Sequence, residues 1–345
     1  MEKRKFGKNI DQRYLKRDFK KIKEMVDTIK VFCQENLEPF DNSKGYVCRV
    51  CNSKTHTPFV NIWGYYYNLC AECNSVVLLN IPNARKLYDA EHSAASNHFL
   101  DEDVFVKRVQ TIALPKVQFI FEAIEQDLKT DKNKKYLWCD IGCGVGEILM
   151  ALKNYNPSCE SIGIDIDPRE IEFGKGKGLN IIKGFVPPPR MTNDSESITD
   201  IIKQSDVVSM FNVLEHLEHP NEMIDYVKLM KKGAYLIIEV PKHPSLASFV
   251  NLISPAFTYR HILPPIHFQV FSEKSIERLI GHEFLLLANW EFGQGFTDII
   301  TAAMILGGIE EQSLYQQLMD ISNDVQNVID KNRLGDVMLY VLKRL

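Results

Sequence analysis

No apolar run in these 345 residues approaches the roughly 18 needed to cross a bilayer. The charged start, Met1 to Lys8, is not followed by the apolar stretch of a secretory leader. Both lacks argue against a membrane span and against export, so a cytoplasmic protein is expected. Strong charge of either sign is missing too. Lys and Arg total 41 against 45 Asp and Glu, and a net charge of −4 gives no overall attraction to phosphate backbones. Basic residues gather only between Lys3 and Lys23, where they outnumber Glu2, Asp11 and Asp18, a run that reads as a solvated helix face. No internal repeat is read.

What is present is an ordinary globular composition, 45% hydrophobic and 25% charged, in a chain long enough for one α/β domain and a small module. The eight cysteines are its most unusual feature. Without an export signal they do not read as disulfides. Cys33, Cys139, Cys143 and Cys159 are scattered, whereas Cys48-Arg-Val-Cys51 and Cys70-Ala-Glu-Cys73 are pairs separated by eighteen residues. Two intervening residues let a tight turn aim both thiolates at one ion, and two such turns complete a tetrahedron. Cys48, Cys51, Cys70 and Cys73 are therefore expected to hold one structural Zn2+. His56 reads as a lone exposed histidine rather than a ligand.

Periodicity divides the chain in three. Residues 1–40 form a basic, helical segment, with Ile22, Met25, Val26, Ile29, Phe32 and Cys33 at helical spacing. Residues 41–82 form the zinc ribbon, where the aromatic and β-branched runs Val60 to Tyr67 and Val76 to Leu79 predict small hairpins. In residues 83–345, Asp101 caps a helix facing inward through Phe105, Val109, Ile112, Ile120, Phe121 and Ile124, with a kink expected at Pro115. Apolar segments beginning at Tyr136, Ser161, Asn180, Asp206, Ala234 and Phe284 then alternate with helical ones, and Asp336 to Leu342 closes the series. The pattern predicts an α/β, doubly wound, mostly parallel seven-stranded sheet. Pro187 to Pro189 and the polar Asn193 to Ser197 read as one exposed loop.

Leu137 to Gly146 runs from a strand into a Gly-x-Gly-x-Gly turn and then a helix. Glycines there admit close backbone approach at the carboxyl end of the first strand. The second strand ends in Asp165, whose carboxylate can accept both hydroxyls of a ribose. An adenosine ligand is implied. Asp140 beside the turn would repel a pyrophosphate but suits the cationic amino-acid end of S-adenosylmethionine (SAM).

These residues, with Phe211 to Leu217 after the fourth strand and Ile238-Glu239-Val240-Pro241 after the fifth, resemble the motifs of class I SAM-dependent methyltransferases. With the ribbon, the chain is similar to a subgroup acting on sugars or other small metabolites. The resemblance implies that Asp140, Gly142, Cys143 and Gly144 surround the methionine part, Asp165 holds the ribose, Ile166 flanks the adenine, and Asn212, Val213 and Leu214 close over the cofactor. The acid that the family often places after the third strand is absent, and Phe185 can stack on the base instead.

An oxygen or carbon acceptor usually needs a base. The candidates are Glu215, His216, His243, His261 and His267, with His267, expected near the ordinary imidazole pKa, the first choice. Glu215, His216 and His267 also resemble the divalent-metal ligands of quinone-biosynthesis and small-RNA 2'-O-methyltransferases, with Asn212 where a first Glu would stand. The Asn/Asp-Pro-Pro-aromatic motif of base N-methylation is missing after the fourth strand. The reading is methyl transfer to an oxygen or carbon of a small acceptor, a sugar or nucleotide-sugar. The rivals are an RNA methyltransferase using the ribbon and basic N-terminus, and a SAM-binding interaction module without turnover.

Overall fold

The structure, a computed structural model, describes residues 10–11, 19–39, 45–81, 99–128, 135–187 and 193–345. Most of the basic run, and residues 188–192 of the proline loop, lie outside them. Seven strands form the main sheet: β4 (Leu137–Ile141), β5 (Glu160–Asp165), β6 (Ile181–Lys183), β7 (Val207–Phe211), β8 (Tyr235–Pro241), β10 (Phe284–Phe292) and β11 (Val337–Arg344). Their spatial order is β10-β11-β8-β7-β4-β5-β6, antiparallel only where β11 pairs with β8 and β10. The central strands are apolar because helices cover both faces. Every residue of β8 is buried, Glu239 included.

Local chemistry sets the helix starts. Asp101 accepts from the backbone N–H of Val104 at 3.0 Å. Asp167 caps Pro168–Gly176 with proline in its first turn, and Ser245 and Ser272 form capping boxes with Ser248 and Ser275. The bend expected at Pro115 takes another form. The helix runs unbroken from Glu102 to Leu128 with a π-turn over Val109–Ala113, and Pro115, which has no N–H to give to the preceding turn, lies just beyond that irregularity. The polar residues read as a loop after Pro189 are instead the first turns of the helix Asn193–Gln204, which anchors on the core through buried Ile198 and Ile202. Among the described residues no helix is long and apolar enough to cross a membrane.

The ribbon strands β1 (His56–Ile62), β2 (Tyr65–Cys70) and β3 (Val76–Leu78) are antiparallel. Their sheet continues into β9 (Gln269–Val270), which belongs to the chain's second half. It therefore crosses the boundary drawn between residues 82 and 83.

Candidate active site

Strand β4 is flanked by β5 and β7, so the crevice beyond its carboxyl end lies where the strand order reverses, the place where open α/β sheets bind ligands. Gly142, Gly144 and Gly146 turn there with φ of 67°, 52° and 85°. The Gly142 N–H donates to the Ile164 carbonyl at 2.8 Å, and a Cβ on Gly142 would stand 2.6 Å from Val213 Cγ2. Only glycine fits that position.

Three acids surround the turn. Asp140 is buried, and its Oδ1 accepts from Ser209 Oγ at 2.6 Å, which in turn accepts from Trp138 Nε1 at 2.7 Å. Burial pushes the Asp140 carboxyl up to about 7, against the Ser209 bond, with Asp165 and Glu239 adding to the rise. Asp165 accepts backbone N–H bonds from Gly144 and Ile166, each at 2.7 Å, and from Asp167 at 3.0 Å. Glu170, on the helix above, is pushed up to about 8 by burial and by the charges of Asp165 and Asp167. A crevice so crowded with carboxyls suits a cationic ligand and opposes a pyrophosphate.

The remaining cofactor candidates divide. Ile166 is half-buried and gives its N–H to Asp165. Cys143 turns its thiol under the turn, where a Cβ on Gly163 would stand 2.5 Å from Sγ. The Cys143 N–H donates to the Ile164 carbonyl at 3.2 Å. Val213 lies under Gly142, whereas the Leu214 side chain is wholly buried in the core. Phe185 is 54% exposed beyond β6. Asn212, at φ 54°, donates from Nδ2 to Glu239 Oε1 at 3.1 Å.

Sequence reasoning missed the partner of Glu239. Lys116 Nζ donates to Glu239 Oε1 at 2.6 Å, with the Phe211 and Phe292 rings 5.6 and 5.4 Å away. A signal existed: Lys116 falls on the same helical stripe as Ile112 and Ile120, where a lysine needs a buried partner.

Glu215, His216 and His267 come together, with one ligand atom from each within 4.8 Å of the others. The 3-10 turn Leu214–His216 carries the first two, and His267 arrives just before β9. The imidazoles meet edge to face at 4.8 Å. His216 Nδ1 faces the Ile266 carbonyl at 3.0 Å and His267 Nδ1 faces that of His261 at 2.5 Å. A carbonyl only accepts, so both Nδ1 atoms carry the proton and both Nε2 atoms keep a free lone pair. Glu215 is buried, and its Oε2 has no hydrogen-bond partner among the described residues. Burial pushes its carboxyl up to about 8.

The ordinary pKa expected of His267 is corrected. Burial and the neighbouring His216 push it well below the usual imidazole range, which makes it a poor base and a neutral donor of a lone pair. His243 and His261 stand apart from this group. His243 Nδ1 is 3.0 Å from Ser248 Oγ, and His261 Nε2 is 3.2 Å from Ser245 Oγ.

In the ribbon, Cys48 and Cys73 Sγ are 3.6 Å apart, as are Cys51 and Cys70 Sγ. A tetrahedron with Zn–S of about 2.3 Å has an edge of about 3.8 Å, so the four thiols fit one Zn2+. Each knuckle closes identically. Asn52 N donates to the Cys48 carbonyl at 2.8 Å and Asn74 N to that of Cys70 at 3.0 Å, and both asparagines have φ 59°. The signal was a short repeat, Cys-x-x-Cys-Asn-Ser, at 48–53 and 70–75. His56 is half-buried rather than exposed. Its Nδ1 is 2.6 Å from Asn68 Nδ2 and its ring lies 4.0 Å from that of Tyr46.

Known proteins resemble the chain over part of its length. The mitochondrial ubiquinone biosynthesis O-methyltransferase of Candida albicans is 23% identical over 175 residues, 48% of this chain and 51% of that protein. The chain thus spans about half the length of the curated relative it matches. A SAM-dependent methyltransferase from Archaeoglobus fulgidus aligns over 71% of this chain and 100% of its own, at 20% identity and a TM-score of 0.39. The plantazolicin methyltransferase BpumL, solved with a pentazolic desmethylPZN analog and SAH, aligns over 76% and 95% at 15% identity and a TM-score of 0.46. The family profile described as a methyltransferase domain matches residues 105–284. That span is just over half of the chain and includes the glycine turn, Asp165, Glu239 and His267, and with the seven-stranded order of its sheet the chain belongs to the methyltransferase-domain family, in its class I SAM-dependent form.

Proposed function

We propose that this chain transfers a methyl group from SAM to a hydroxyl oxygen of a small acceptor. The convergence of Glu215, His216 and His267 beside the cofactor crevice carries the reading. When bound, SAM supplies an electrophilic methyl on a sulfonium, and a divalent ion on the three side chains supplies a Lewis acid for a hydroxyl. The protein's own groups divide the remaining work. Asp140 balances the ammonium end of the cofactor, and Asp165, oriented by three backbone N–H groups, has lone-pair capacity left for the ribose. The two Nε2 atoms and the unpartnered Glu215 Oε2 form a ligand set of the kind that suits zinc or iron better than magnesium. Asn212, where a fourth ligand would stand, is turned toward Glu239.

The cluster favours a hydroxyl acceptor, which the sugar expected from the sequence and a phenol would each supply. The curated relative named above is an O-methyltransferase. The test is transfer of labelled methyl from SAM to a panel of phenols, sugars and amines. Label should enter hydroxylated compounds, and His267→Ala, which removes one of three ligands, should lower turnover by roughly 100-fold with SAM affinity within a factor of about two. Methylation of amines alone, undiminished in His267→Ala, would refute the reading.

A further inference from the structure

We propose that the thiol ribbon is the positioning element of the acceptor site: β3 and Tyr67 hold His267 in place, so ribbon metal sets the geometry of a site it does not touch. The proposal rests on reading Glu215, His216 and His267 as a ligand set.

Strand β9 has two residues, too few to hold an extended backbone alone. Its lateral partner is the ribbon. Val76 pairs with Val270 and Val77 with Gln269, and the Leu78 N–H donates to the Phe268 carbonyl at 2.8 Å. Buried Tyr67 donates from Oη to the carbonyl of His267 itself at 3.0 Å. Ser272 Oγ, at the far end of the segment, donates to the carbonyl of Cys73, one of the four thiol residues.

The opposite side of the segment grips the metal-site turn. Gln269 Nε2 donates to the carbonyls of Leu214 at 2.5 Å and Leu217 at 2.8 Å, and the Phe268 N–H donates to that of Glu215 at 2.7 Å. Residues 267–270 are thus clamped between β3 and the turn bearing Glu215 and His216, and Phe271 is tied separately to the end of β8, giving its N–H to the Pro241 carbonyl at 3.0 Å and accepting from the His243 N–H at 2.7 Å. Packing continues the link, since Tyr67, Val76 and Leu78 share one buried cluster with Phe268 and Val270. Strand β3 has three residues, begins just after the second cysteine knuckle and pairs with β2, which ends in Cys70, so an ion on the four thiols would brace both strands that hold the segment. Tyr67 is a positioning residue, acting on the site through the His267 backbone.

The experiment uses the full chain with its ribbon loaded with Zn2+. Amide hydrogen exchange is compared in wild type, Cys51→Ser and Tyr67→Phe, and Co2+ is titrated as the probe of the second site, where it lacks the thiolate charge-transfer band of a ribbon site. In Cys51→Ser, exchange at Gln269 and Val270, the residues that pair with β3, should rise at least tenfold while β4 stays protected and SAM calorimetry is unchanged. In Tyr67→Phe, Co2+ affinity at the second site should fall about tenfold, as for loss of an outer-shell partner. Wild-type protection at Gln269 and Val270 in a Cys51→Ser protein whose residues 65–78 exchange freely would overturn the proposal. If Cys51→Ser fails to bind SAM, and so has not folded, Tyr67→Phe decides, and unchanged exchange with unchanged Co2+ affinity refutes. Co2+ uptake at the thiols alone would end the metal reading, and the exchange result would then judge the ribbon coupling by itself.

Discussion

Removing the charge of Lys116 should cost this fold more than any surface change, because the pair it makes is closed to water. Lys116 Nζ and Glu239 Oε1 are 2.6 Å apart, and the two side chains are only 8% and 1% exposed. In Lys116→Met, Glu239 Oε1 would keep only Asn212 Nδ2, at 3.1 Å, while its Oε2 has no partner among the described residues. Breaking a buried pair from one side costs about 3–5 kcal/mol, and the cation's contact with Phe211 and Phe292 adds to the loss. A destabilisation of about 4 kcal/mol is expected, roughly a thousandfold in the folding equilibrium. Replacing both partners, Lys116→Met with Glu239→Leu, should return stability to within about 1 kcal/mol of wild type, since no uncompensated charge remains. Urea unfolding followed through Trp138 and Trp290, both buried in the main sheet, measures all four corners of the cycle. A Lys116→Met protein within about 1 kcal/mol of wild type, with no coupling to Glu239, would mean that the pair is solvated and the argument is wrong.

Asp140, at about 7 in the fold against an ordinary 3.8, keeps its proton where the unfolded chain has lost it. Its burial therefore erodes stability as pH rises from about 4 to 7, and Asp140→Asn should flatten that slope in thermal melts at stepped pH. A cationic ligand favours the ionised form, so SAM affinity by calorimetry should climb up to about tenfold per pH unit toward 7 and level off above it; a flat profile below 7 would sink the assignment. Gly142→Ala adds a Cβ 2.6 Å from Val213 Cγ2 at φ 67°, and should cost about 1–3 kcal/mol and weaken SAM binding. Combining it with Val213→Ala should recover the clash but not the backbone strain, as read by paired denaturation curves. Metal analysis of the purified chain should find about one zinc bound by the ribbon, and a metal-free protein with residues 46–80 still protease-resistant would count against it.

The features legible in the sequence are those written in short-range pattern. Apolar runs separated by helical spacing specify which segments are strands, because a strand buried on both faces must be apolar throughout. The cysteine pairs and the glycine turn are also local, since a two-residue spacing or a positive φ is a property of a few neighbouring residues. Tertiary structure alone decided the groupings between distant segments. Lys116 meets Glu239 across 123 positions and Val76 pairs with Val270, because strand order and helix crossing, rather than periodicity, bring such segments together. It also decided direction and charge. The strand-end motif names Asn212, Val213 and Leu214 alike, yet only the packed sheet sends Leu214 into the core and Asn212 toward Glu239. Burial then sets the acidity of Asp140 and His267, a quantity with no signature in either residue's neighbours along the chain, because desolvation is a property of the whole fold around them.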